Sequence, residues 1–142
     1  MRIRLALGLG LAALVAGCGA TGPSSAERVV RAWSHALNAG DNRAAASLFA
    51  PGAKVVQAGQ VLRLSSRADA VRFNAGLLCS GRIVALSSHG DTATATFRLG
   101  DRKMRLCDGP GQRATAVFRV SKGKIVLWHQ LEARSAPQGP VV

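Results

Sequence analysis

Three kinds of side chain here could do chemistry: cysteines at 18, 79 and 107, histidines at 35, 89 and 129, and seven carboxylates. A thiol can serve as a nucleophile, a metal ligand or half of a disulfide. The spacing supports no metal set, because there is no CxxC pair and the histidines are scattered. Serines are plentiful, but none sits in a G-x-S-x-G elbow or an S-x-x-K motif. Cys107-Asp-Gly-Pro-Gly111 is glycine-rich, yet it follows no strand-to-helix turn, so phosphate binding and a cofactor are not expected. The acids have plain positions. Glu27, Asp41 and Asp69 fall in caps or first turns, Asp91, Asp101 and Asp108 in turns or loops, and Glu132 at a strand end. His35 and His89 fall on an exposed helix position and a turn. His129 is the ionisable group that strand alternation puts on an apolar face. There it is either an acid–base or hydrogen-bond donor for a ligand, or a core or rim histidine satisfied by a neighbour.

Those residues need elements to position them. Ser24-Ser25-Ala26-Glu27 reads as a capping box. It opens a helix with Val29, Val30, Trp33, Ala36 and Leu37 on one stripe, and Gly40 stops it. Asp41 caps a shorter helix with Ala45, Leu48 and Phe49 inward, ended by Pro51-Gly52. Residues 53–64 read as extended, broken at Gly59. Ser66 and Asp69 open a third helix with Ala68, Val71, Ala75 and Leu78 inward, running up to Cys79. The period then changes to two, with strands over 82–88, 92–99, 113–120 and 124–132. Ala93, Ala95, Phe97 and Leu99 share a face, as do Ala114, Ala116, Phe118 and Val120, and Ile125, Leu127, His129 and Leu131. The opposite face, which carries Thr94, Val117 and Trp128, is mixed. Three helices on one face of an antiparallel sheet make an α+β domain.

Ahead of that domain, Arg2 and Arg4 precede an apolar run over 5–16, too short to span a bilayer as a helix. The run ends in Leu14-Val15-Ala16-Gly17-Cys18, which resembles the lipobox of bacterial lipoproteins. The resemblance implies a signal peptide over 1–17, a diacylglyceryl group on Cys18 with further acylation (the palmitate-type anchor), and cleavage before that residue. Residues 18–25 then form a lipidated tether, 26–132 the domain, and 133–142 a Pro/Gly-containing tail. The expected location is the bacterial cell membrane, lipid-anchored and extracytoplasmic. In that oxidising milieu Cys79 and Cys107 are expected to form one disulfide, worth about 3–4 kcal/mol in the chain-entropy model.

With 48% hydrophobic residues, the chain can bury a core of single-domain size. The formal charge of +12 is dense between Arg98 and Lys124. That stretch is either a solvated basic face or a surface drawn to an anionic leaflet. Nucleic acid is not an expected partner of an exported chain.

The stretch Trp33-Ser-His-Ala-Leu-Asn-Ala-Gly-Asp41, followed by Ala45 to Ala50 and Pro51, and a late Gly-Lys-Ile strand, resembles the nuclear transport factor 2-like superfamily. That superfamily includes SnoaL-like proteins and ketosteroid isomerases, and the resemblance covers roughly 26–132. It implies a cone in which three N-terminal helices pack on a curved antiparallel sheet around a pocket. Trp33, Gln57, Phe73, Ala116, Phe118 and His129 are the pocket candidates it gives. The isomerase branch uses a carboxylate base, with a tyrosine and a protonated acid on the oxyanion. The matching positions here are Gln57, Trp33 and Ala116. An amide is no base near neutral pH, indole is a far weaker acid than a phenol, and the chain has no tyrosine. The expectation is a non-catalytic domain that binds a small apolar ligand or an envelope protein, with a homodimer through the mixed outer face, Trp128 included. One alternative is a SnoaL-like enzyme, of isomerase or hydrolase type, using His129 as acid–base and Gln57 as orienter. Another is a basic module that holds anionic lipid or wall polymer.

Overall fold

The structure, a computed structural model, describes residues 22–133. The expected signal peptide over 1–17, Cys18, most of the expected tether and the expected tail beyond Ala133 lie outside the described residues. The elements are α1 (Ser25–Asn38), α2 (Asn42–Ser47), β1 (Phe49–Gln57), β2 (Gln60–Leu64) and α3 (Arg67–Gly76). Then come β3 (Ser80–His89), β4 (Thr92–Gly100), β5 (Arg113–Ser121) and β6 (Lys124–Leu131).

The helix ends follow local chemistry. Ser24 Oγ accepts from Glu27 N at 3.1 Å, but the Glu27 carboxylate takes the Ser88 hydroxyl at 2.6 Å and so ties α1 to β3. The expected box is therefore half made. At the other end Gly40 adopts φ +76°, its N–H bonds Leu37 O at 3.0 Å, and Asp41 N bonds Ala36 O at 2.9 Å. This is a Schellman stop, which favours glycine because the left-handed region crowds a Cβ. Asp41 Oδ1 then accepts from Ala44 N and starts α2. Ser66 and Asp69 make a complete capping box on α3.

Two helix expectations change. α2 stops at Ser47, and Pro51-Gly52 lies inside β1, where the β1–β6 register shifts between Phe49 and Lys54. At such an irregularity a proline withholds no needed ladder donor. α3 ends at Gly76, before Cys79, and it turns Ala70 and Asn74 inward while Ala68 and Leu78 are exposed.

The six strands form one curved sheet in the order β2-β1-β6-β5-β4-β3. It is mixed rather than purely antiparallel, because β6 returns to the middle and pairs with β1 in parallel. Its turns are tight. Ala58 and Gly59, with φ of +49° and +73°, close β1 onto β2 in the primed geometry that suits the strand twist. α1 docks on β3 through Gly81, whose carbonyl accepts from Ser34 and Asn38 and whose N–H donates to Asn38. A Cβ on Gly81 would lie 2.9 Å from Phe97 Cβ, so only glycine allows this approach.

The core cluster of the described residues falls wholly within 26–128. A chain begun at Ala20 therefore keeps all of it and folds as a unit. Trp33 is its hub, with ring centroids 5.3 Å from Phe118, 5.9 Å from Phe97 and 6.3 Å from Trp128. These edge-to-face and tilted contacts place ring edges against ring faces, as aromatic quadrupoles favour.

Candidate functional site

Between α1, the α3–β3 junction and the concave face of the sheet lies a cavity of about 350 Å³. Trp33, Phe97 and Trp128 supply its aromatic surface, and Leu37, Leu77 and Leu99 add aliphatic wall. Leu78, half-exposed, and Cys79 lie along its rim. Its polar lining includes Gln57 and Gln130, which meet across β1 and β6: Gln57 Nε2 donates to Gln130 Oε1 at 2.7 Å. That bond uses one group of each amide and leaves Gln57 Oε1 as an acceptor and Gln130 Nε2 as a donor.

Of the six pocket candidates, the structure brings together three: Trp33, Gln57 and Ala116 all line the cavity. The Trp33 indole N–H is already committed, donating to Asn74 Oδ1 at 2.8 Å inside the core. Phe118 is fully buried behind Trp33, and Phe73 packs between Phe49 and Trp128, so both support the lining without forming it.

His129 is a correction. The ladder between β5 and β6 shifts between Arg119 and Val120, pairing Val120 with Ile125 but Arg119 with Leu127. Val126 is the extra residue, and every side chain after it changes face. Trp128, opposite Phe118, and Gln130, opposite Ala116, therefore turn inward. His129 pairs between Val117 and Val56 and turns to the convex face. An enzyme using His129 in the pocket loses its acid–base, and the outer face loses Trp128 as a dimer contact. Trp128 is 4% exposed, and its indole N–H is buried without an acceptor.

Cys79 and Cys107 are joined, S–S 2.05 Å, and pin the β4–β5 connection to the exit of α3. Asp108 lies beside them and brings the cavity its one carboxylate among the described residues. The two sulfurs and Asp108 cluster within 4.8 Å, but joined sulfurs have no thiolate to offer a metal. On the far side of α3, Arg102 is 9% exposed and has no carboxylate partner among the described residues. Its guanidinium donates to Asn74 O and Leu77 O at the end of α3, and to Asn42 Oδ1. Burial, and then the neighbouring Arg105, hold its pKa below the ordinary arginine value, yet an arginine stays charged.

Sequence reasoning missed Gln130, Trp128 as a lining residue, and Asn74. The first two depended on a bulge that leaves no compositional trace. Asn74 had a signal, since an inward tryptophan needs an acceptor for its N–H.

The SnoaL-like domain family matches residues 30–128. Among curated proteins none matches the chain. Similar solved structures include a candidate polyketide cyclase from Sinorhizobium meliloti, 18% identical, covering 76% of this chain and 99% of its own, with a TM-score of 0.62. An NTF2-like protein of unknown function from Cytophaga hutchinsonii is 13% identical over 79% and 92% of the two chains, TM-score 0.63. A candidate ketosteroid isomerase from Kribbella flavida is 21% identical over 81% and 84%, TM-score 0.62. At such identities the likeness is one of fold.

Proposed function

This chain belongs to the SnoaL-like domain family, and from that premise we propose that it is the ligand-binding domain of an extracytoplasmic lipoprotein, anchored through Cys18. Its cavity takes a small, neutral, largely apolar molecule and holds it without proton-transfer chemistry. The observation that carries this reading is the amide pair Gln57–Gln130, set against the rings of Trp33 and Trp128. Two neutral amides offer one acceptor and one donor to a planar polar edge, such as an amide or a carbonyl next to a hydroxyl. They supply neither a base nor a group that gives up a proton near neutral pH. Asp108, the carboxylate in this lining, sits beside the Cys79–Cys107 disulfide.

Native mass spectrometry of residues 20–142 from an oxidising compartment tests the cavity. A co-purified neutral small molecule, lost in Gln130→Leu, is the expected result. An anionic ligand that survives in Gln130→Leu would refute the reading. Metabolic labelling with a palmitate analogue tests the anchor separately: label should enter the full chain and be absent from Cys18→Ala.

A further inference from the structure

The connection between β4 and β5 carries a second feature. Arg102 and Arg105 bridge each other, Arg102 N to Arg105 O at 2.9 Å and Arg105 N to Arg102 O at 3.3 Å, so Lys103 and Met104 form the turn of a miniature hairpin. Met104 is 93% exposed and Leu106 is 81% exposed. Lys103 and Arg105 alternate with them in the sequence Arg102-Lys-Met-Arg-Leu106, which contains no acid. An ordinary loop tip of this exposure is polar, and a flexible one would fold its methionine and leucine back onto the domain.

This tip is held out. On one side the Arg102 guanidinium is fixed to Asn74 O, Leu77 O and Asn42 Oδ1. On the other, Cys107 is bonded to Cys79, and its N–H donates to Asp101 Oδ1 at 2.9 Å, engaging the acid that precedes Arg102. The ordering cost of displaying two apolar side chains is thus met within the fold. A cleft of about 240 Å³, lined by Asn42, Arg102, Lys103 and Arg105 among others, opens beside Met104.

We propose that this stapled hairpin is a docking finger for an anionic phospholipid surface, with Met104 and Leu106 entering the interface and Lys103 and Arg105 meeting headgroup phosphates. The chemistry favours a bilayer over a folded partner. Apolar tips flanked by cations match a surface that is apolar beneath a layer of negative charge. The inference depends neither on the lipid at Cys18 nor on a ligand in the large cavity.

Vesicle flotation with residues 20–142 tests it, using phosphatidylcholine alone or mixed with phosphatidylglycerol. The domain should float with the anionic vesicles only, and binding should fall steeply with salt. Each cation near an anionic leaflet is worth about fivefold in affinity, so Lys103→Gln with Arg105→Gln should lower binding about twenty-fivefold and flatten the salt dependence. Met104→Ser with Leu106→Ser should lower it at least about tenfold at unchanged charge. All four side chains are exposed, so thermal unfolding should not move in either variant. Failure to float with anionic vesicles, or equal flotation of both variants and the parent, would overturn the proposal. Displacement by millimolar inorganic phosphate would also overturn it, leaving a site for a free anion. A Gln130→Leu domain should float like the parent, so a failed cavity reading and a failed finger are told apart.

Discussion

Asn74 is where the packing of this domain can be tested most sharply. It is fully buried, its Oδ1 accepts the Trp33 indole N–H at 2.8 Å, and its Nδ2 donates to Ala70 O at 2.8 Å. In Asn74→Ala the indole N–H is left buried with no acceptor, which costs about 1–3 kcal/mol. The lost side-chain volume adds about 1 kcal/mol, and the better helix propensity of alanine returns roughly 0.5 kcal/mol. The net expectation is about 2–3 kcal/mol, a large part of the 5–15 kcal/mol typical of a domain but not all of it. Trp33→Phe strands the Asn74 carbonyl oxygen instead and should cost a similar amount.

The discriminating variant removes both partners. Trp33→Phe with Asn74→Leu leaves neither group unpaired, so the pair should cost less than the sum of the two single changes, Trp33→Phe and Asn74→Leu, by about 1–2 kcal/mol. Urea unfolding followed by far-ultraviolet circular dichroism, with the disulfide intact, reads all four corners of the cycle. Additivity within about 0.5 kcal/mol would mean that the indole and the amide do not depend on each other, and the account of how Trp33 is held would fall. Since Trp33 forms the cavity surface, the single Asn74→Ala change should also weaken binding of any ligand found there.

Three further outcomes follow from the same geometry. Replacing both Cys79 and Cys107 with serine should cost about 3–4 kcal/mol, from the unfolded-state entropy of a loop with a sequence separation of 28, read as a fall in the urea midpoint. The Asp69 carboxyl is held below the ordinary aspartate value, chiefly by the Ser66 hydroxyl, then by backbone donors and by Arg72. A depressed folded-state value means that its contribution to the α3 cap is present above the unfolded-state pKa and is lost as the pH falls through the folded one. An NMR titration of Asp69 should show the low midpoint, and Ser66→Ala should raise it. Finally, His129→Ala should leave ligand affinity in the cavity unchanged, whereas Gln130→Leu should abolish it. The reverse result would put His129 back on the concave face.

Much of this fold is legible in the residues, for local reasons. Ser66-Asp69, Asp41 and Gly40 act through bonds to backbone a few positions away, so the sequence places them without help from the rest of the chain. Alternation over β4 and β5 is equally plain, with Ala93, Ala95, Phe97, Ala116 and Phe118 all buried. The site was legible only in part. Trp33 on a regular helix, Gln57 in the regular β1–β2 ladder and Ala116 on a regular part of β5 reach the cavity. His129 follows a bulge set by pairing with β5, and a single extra residue there inverts everything downstream. The parallel pairing of β1 with β6 is likewise non-local, and Pro51-Gly52 reads as a helix stop until β6 is laid beside it.

That one bulge also decides what kind of chemistry the cavity can hold. Had β6 kept strict alternation, Leu127, His129 and Leu131 would face the concave side, and an imidazole would stand beside Gln57. With Val126 bulged, Trp128 and Gln130 stand there instead, and the partner of Gln57 is an amide rather than a titratable ring. A neutral amide pair keeps the same hydrogen-bonding capacity from acid to alkaline pH, while an imidazole would switch near neutrality. On the proposed reading, recognition rests on shape and on one donor and one acceptor, and affinity should follow ligand geometry rather than pH. No lysine or arginine lines this cavity among the described residues, and the cations Arg102, Lys103 and Arg105 of the stapled hairpin lie outside it. The two proposed roles, recognition of a neutral ligand and docking on an anionic surface, thus fall on separate parts of one small fold. The disulfide between Cys79 and Cys107 is their physical link, with Cys79 on the cavity rim and Cys107 at the base of the hairpin.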